Sequence, residues 1–130
     1  MRLAPIIGAL ALAGCQSAMQ PASDKAARAT AQLQPTKGNK TVGEATFEDI
    51  GSGRVHLLVI VHGLKPGSEH GFHVHEAGDC SSGDGMSAKG HFNPTGAPHG
   101  DPMGGAHHAG DLPALKADAK GVAKLDTTVS

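Results

Sequence analysis

The stretch from Gly71 to Leu112 carries six of the chain's nine histidines, and beyond Glu76 it is rich in Gly, Pro, Asn and Ser and shows neither strand nor helix period. A run of that length without regular structure is uncommon in a compact domain unless function or a cross-link holds it. The candidate staple lies on the stretch itself, in His73, His75, His91, His99, His107, His108 and Asp111. Imidazole is the commonest protein ligand for copper and zinc, and carboxylate joins it readily at zinc. Their spacing suits two adjacent metal ions, with fifteen, seven, eight and two residues separating His75, His91, His99, His108 and Asp111 in turn. Metal bonds would let this segment fold.

The segment Gly71 to Glu76 reads G-F-H-V-H-E, with the period of a strand. That period puts His73 and His75 on one face and Phe72 and Val74 on the other. Two imidazoles on one face can reach a single ion.

The chain has 130 residues, 38% hydrophobic and 18% charged, which suits one ordinary globular domain. A net charge of −1 offers no basic footprint for nucleic acid. Nineteen glycines against three aromatic residues, all Phe, favour a turn-rich β architecture with a core of Val, Ile and Leu.

Residues 1–15 read as an export signal, with Arg2 ahead of an apolar run, Leu3 to Ala13, that is too short to span a bilayer. The run closes in Leu12-Ala13-Gly14-Cys15, which resembles the bacterial lipobox and implies that Cys15 becomes lipid-linked. Residues 16–28, rich in Ala, Ser, Gln and Pro, read as a tether, and the folded domain is expected over residues 29–130. The expected location is the periplasm, with membrane contact only through the lipid. Export also makes Cys80 informative, since an oxidising compartment favours disulfides and the only other cysteine is Cys15.

Within the domain, weak alternation over Ala29 to Pro35, the loose spacing of Val42, Ala45 and Phe47 in Thr41 to Ile50, and the β-branched run Val55 to His62 predict strands, the last two joined as a hairpin through Gly51-Ser52-Gly53. Pro66-Gly67 precedes the strand holding His73 and His75, and Leu115 to Asp118 and Val122 to Val129 flank a turn at Ala119-Lys120-Gly121. That makes about six short strands and no helix.

Five motifs in order, G-F-H-V-H-E at Gly71, G-D-C at Gly78, G-H-F-N-P at Gly90, H-G-D-P at His99 and H-A-G-D-L-P at His108, resemble the successive signatures of the copper/zinc superoxide dismutases in their bacterial exported form. The resemblance extends from about Ala27 to the last residue. It implies an all-β, eight-stranded Greek-key barrel or sandwich, of which six strands would be present here. It also implies His73, His75 and His91 as copper ligands, and His91, His99, His108 and Asp111 as zinc ligands. His91 would bridge both ions and act as proton carrier, which makes it the catalytic residue. Cys80 would belong to a disulfide whose partner is not in this chain. Superoxide is the implied substrate, converted to dioxygen and hydrogen peroxide by copper redox cycling, and a homodimer is possible within the family. Members of the family continue beyond the point matching Ser130 into a strand bearing a fourth copper histidine. A shortened form is therefore expected, with zinc held more firmly than copper and dismutase activity below that of a full-length relative.

The other class of reading is a non-catalytic periplasmic copper- and zinc-binding lipoprotein, a remnant or a carrier. A His-rich scavenging tract fits poorly, because such tracts are low in complexity and this one alternates with specific apolar and turn residues. His56, His62, His70 and His107 read as polar surface residues. His108 is preferred to His107 because it stands three before Asp111, as in the family motif.

Overall fold

The computed structural model describes residues 26–130. Cys15, the signal segment and most of the expected tether lie outside them. Six strands form: β1 (Arg28–Leu33), β2 (Val42–Asp49), β3 (Val55–His62), β4 (Glu69–His73), β5 (Asp111–Lys116) and β6 (Ala123–Val129). A single 3-10 turn at Met86–Ala88 interrupts the long connection. All pairings are antiparallel, in a four-stranded sheet ordered β1-β2-β3-β6 and a two-stranded sheet of β4 and β5.

Strand β3 shows why the two sheets face each other. Its sequence alternates, so Leu57, Val59 and Val61 are buried while Leu58, Ile60 and His62 point outward. The inward row packs with Ala45 and Ala123 against Leu112 and Leu115 of β5, and Phe47, Phe72 and Leu125 close the margins. The hairpin from β2 to β3 turns through Gly51, Ser52 and Gly53, all left-handed, with the Gly51 amide donating to Asp49 Oδ1 at 2.8 Å. That is the Gly-Ser-Gly turn expected from the sequence.

Two boundaries differ from expectation. Strand β5 begins at Asp111 rather than near Leu115, and it contains Pro113. Between the pairs His70/Leu115 and Phe72/Leu112, β4 has only Gly71 while β5 has Pro113 and Ala114. A proline without an N–H is tolerated at such a bulge, so Leu112-Pro113 belongs to the strand. Strand β4, in turn, stops at His73, and His75 sits beyond it in an isolated bridge with His91. The long connection thus leaves β4 at the first candidate ligand and re-enters β5 at the last.

Candidate metal centre

Three segments bearing the candidate ligands are tied together through their backbones. The amide of Val74 donates to Gly110 O, that of Gly110 to Phe92 O, and that of Phe92 to Val74 O, each at 2.8 Å. Every corner of this triangle adjoins a ligand: His73 and His75 flank Val74, His91 precedes Phe92, and Asp111 follows Gly110. Only glycine fits at the third corner, because a β-carbon on Gly110 would stand 2.3 Å from Val74 O. Further along, Asn93 donates from Nδ2 to Ala97 O and accepts at Oδ1 from the Ala97 amide, closing the turn between His91 and His99.

Asp111 is the focus of the site, with its side chain 1% exposed. Its Oδ2 accepts the amides of Gly100 (3.1 Å) and His108 (3.0 Å). Its Oδ1 faces His91 Nδ1 at 2.9 Å, His99 Nδ1 at 3.0 Å and His108 Nδ1 at 3.4 Å. His108 Nδ1 is also 3.4 Å from His91 Nδ1. Ligands arranged tetrahedrally at zinc–nitrogen distances of about 2.0–2.1 Å lie about 3.3–3.4 Å from one another. The distances from Asp111 Oδ1 to the three imidazoles and from His91 to His108 are of that order.

His73 joins the same cluster from β4. Donor atoms of His73, His91, His99 and Asp111 all lie within 4.8 Å of one another. Its ring stacks on His91 with centroids 3.9 Å apart and an interplanar angle of 18°. Gly71 makes room for that ring, since a β-carbon there would come within 2.9 Å of His73 Cε1. His75 approaches His91 edge-on, centroids 5.2 Å apart, and its Nδ1 lies 2.8 Å from Lys89 O. A carbonyl can only accept, so Nδ1 carries the hydrogen and Nε2 is left as a donor atom for a metal. The carbonyl that does this belongs to a strained residue. Lys89 has φ 65 and ψ −151, a region that is essentially glycine's own.

Electrostatics follow from these contacts. Burial pushes the Asp111 carboxyl up, but the Gly100 and His108 amides, the His91 hydrogen bond and the neighbouring His99 outweigh it and hold it below the usual carboxylate range. Burial, reinforced by His91, lowers His73. Both shifts favour the metal-binding form, an ionised carboxylate and a neutral imidazole.

The structure therefore gathers His73, His75, His91, His99, His108 and Asp111 into one cluster. His91 is its hub, with the rings of His73, His75, His99 and His108 all within 5.5 Å of its own by centroid. Outside the cluster, His56 bonds Asp126 and His70 bonds Ser68. His62 is exposed, and His107 turns its Nδ1 to His108 O. Cys80 is exposed and forms no disulfide among the described residues. Sequence reasoning missed the Lys89 carbonyl and the Gly100 amide, whose roles are made by backbone atoms. The steric need for glycine at position 110 likewise comes from a meeting of segments that the motif H-A-G-D-L-P alone does not reveal.

Comparisons with known proteins agree with this geometry. Residues 41–130 match the family described as copper/zinc superoxide dismutase (SODC). Among curated relatives, a superoxide dismutase [Cu-Zn] of Paramecium bursaria Chlorella virus 1 is 51% identical over 73 residues, covering 56% of this chain and 38% of the relative. The enzyme of that name from Yarrowia lipolytica is 46% identical over 87 residues, covering 66% and 56%. Superoxide dismutase [Cu-Zn] 2 of Aquifex aeolicus is 43% identical over 96 residues, covering 72% and 54%. The chain thus spans about half the length, or less, of these relatives. The crystal structure of the clock protein EA4 superposes with a TM-score of 0.72 at 35% identity, over 85% of this chain and 68% of that one. The match over residues 41–130, on a fold and a histidine cluster of this kind, places the chain in the copper/zinc superoxide dismutase family.

Proposed function

We propose that this chain carries the two-metal centre of an exported superoxide dismutase. His91, His99, His108 and Asp111 would hold zinc, and His73, His75 and His91 would contribute to copper. The observation that carries this reading is the position of His91, whose Nδ1 faces Asp111 while four other imidazoles surround its ring. Between His108 and His73 as the remaining zinc ligand, His108 is favoured by its 3.4 Å contacts to both His91 and Asp111. His73 instead lies face to face with His91.

Copper, when bound, supplies one-electron exchange with superoxide, while zinc changes no oxidation state. The chain's own residues do the rest. Asp111, fixed by two amides, orients the Nδ1 edge of His91. The opposite nitrogen, Nε2, is where His91 would hold and release the proton consumed in forming peroxide. Lys89 O fixes the His75 ring so that its Nε2 is the presented atom.

The test is superoxide decay after pulse radiolysis, with zinc and copper contents measured on the same sample. Decay above a free-copper control, lost in His91→Ala, supports the proposal. Both metals bound without accelerated decay would favour the second reading, a metal-holding lipoprotein. The pattern Leu12-Ala13-Gly14-Cys15 supports a lipid anchor. Palmitate labelling in a bacterial host, abolished by Cys15→Ser, is the expected result, and labelling that persists in the variant would overturn it.

A further inference from the structure

We propose that the Lys89 ammonium is the charge that draws an anionic substrate toward the His75 side of the metal centre, a role that rests on the function proposed above. Between Lys65 and Lys116 the chain carries six carboxylates and a single Lys or Arg side chain, that of Lys89. Lys116 is held by Glu69 at 3.5 Å, whereas Lys89 is exposed and forms no ion pair among the described residues. Its place is fixed by three successive carbonyls. Ala88 O accepts the Ala77 amide at 3.1 Å, Lys89 O lies 2.8 Å from His75 Nδ1, and Gly90 O accepts the Glu76 amide at 2.9 Å. The lysine is thus clamped beside a candidate copper ligand.

Backbone energetics do not account for a lysine at this position, because φ 65 and ψ −151 suit glycine. A residue kept against its local preference points to function, and what this one adds over glycine is a charge in an otherwise acidic loop. The stem carries Nζ about 6 Å from Cα, so whichever way it swings the charge stays within about 14 Å of His75 Nε2. The Debye length is about 30 Å at 10 mM salt and about 8 Å at 0.15 M, so the field reaches that side of the centre at low salt and is screened at high salt. At about 10 Å in water one unit charge alters the local concentration of a monovalent anion about twofold, and reversal of that charge alters it about fourfold. No contact with the anion is needed, since the field acts on its approach.

The experiment uses the whole chain loaded with zinc and copper, with metal contents measured, and azide as a monovalent anion read by its charge-transfer band with cupric ion. At about 10 mM ionic strength azide affinity should fall about twofold in Lys89→Met and about fourfold in Lys89→Glu, and hold in Lys89→Arg. Lys124→Met, on β6, should keep the parent affinity. At about 0.5 M salt the differences should close. The bimolecular rate of superoxide decay should follow the same order. Lys89→Gly should lose azide affinity as Lys89→Met does although it melts higher, which separates charge from folding. Parent affinity in Lys89→Glu at low salt, or a loss that persists at 0.5 M, would overturn the proposal. Azide affinities in the expected order with no superoxide decay above the free-copper control would keep the attracting charge and remove the dismutase function. Decay that is lost in His91→Ala but indifferent to Lys89, with azide affinity equally indifferent, would do the reverse.

Discussion

Gly110→Ala tests whether the backbone triangle, and no single ligand, organises the centre. The added methyl would lie 2.3 Å from Val74 O and 2.9 Å from Phe92 N, whereas ordinary contacts begin near 3.4 Å. Both obstructing atoms are backbone, so no rotamer change relieves the clash. The chain must open by about 1 Å, which breaks the two bonds Gly110 makes, its amide to Phe92 O and the Val74 amide to its carbonyl. Gly110 is buried, so its groups lose their partners without gaining water. At about 1–3 kcal/mol for each of the two stranded groups, less about 0.4–1 kcal/mol gained from restricting the unfolded chain, the net loss is about 1–5.5 kcal/mol. Urea unfolding in EDTA reads that loss directly. Zinc competition reads its consequence at Asp111, the adjoining residue. Gly78→Ala, where a β-carbon meets nothing within 4 Å, should change stability by less than about 0.5 kcal/mol. If Gly110→Ala unfolds at the parent's urea midpoint and keeps its zinc affinity, the triangle does not organise the site.

Lys89→Gly should stabilise the protein by about 1 kcal/mol, because relief of about 1–3 kcal/mol of backbone strain exceeds the entropic penalty of about 0.5–1 kcal/mol for glycine. A lower melting temperature would show that the residue is not strained. His108→Ala should lower zinc affinity at least about tenfold while His73→Ala spares zinc and weakens copper, and the opposite pattern would exchange their places. Acid should destabilise the EDTA-treated protein first through His73. Its folded form resists protonation, so stability falls as the pH drops below about 6.5, where the unfolded chain takes up the proton. Asp111, held low, contributes fully above the ordinary carboxylate pKa of about 3.9 and loses that contribution only as the pH falls through its depressed value. The urea midpoint should therefore decline between about pH 7 and 5, less so in His73→Gln, and a flat parent profile would contradict this.

What the sequence made legible was chemistry carried by side chains and by period. The β-branched run Val55 to His62 announced strand β3, and Gly51-Ser52-Gly53 announced the hairpin. Of the six histidines in the stretch, His73, His75, His91, His99 and His108 join Asp111 in the cluster, and His107 does not. What stayed hidden depends on the meeting of distant segments. The start of β5 at Asp111 was one such feature, because Pro113 enters the strand only through a bulge opposite Gly71. His73 and His75 looked like neighbours on one strand, but β4 ends between them and His75 pairs with His91 instead. The tautomer of His75 depends on a carbonyl fourteen residues away, at a lysine whose backbone angles no propensity would suggest.

The expectation that metal bonds alone staple the long connection needs amendment on the same grounds. Protein groups already fix several of its points: the Val74–Phe92–Gly110 triangle, the Asn93–Ala97 pair, and the amides of Gly100 and His108 on Asp111. These bonds constrain backbone positions, whereas a metal constrains the side chains those positions carry. The two constraints meet at Asp111, which receives amides on Oδ2 and presents Oδ1 to three imidazoles. An oxygen held by amides need not be reorganised when an ion arrives, so less of the binding energy is spent on ordering the loop. That division of labour explains why the buried carboxylate stands at the first residue of a strand: β5 anchors it to the core while the loop brings the histidines to it.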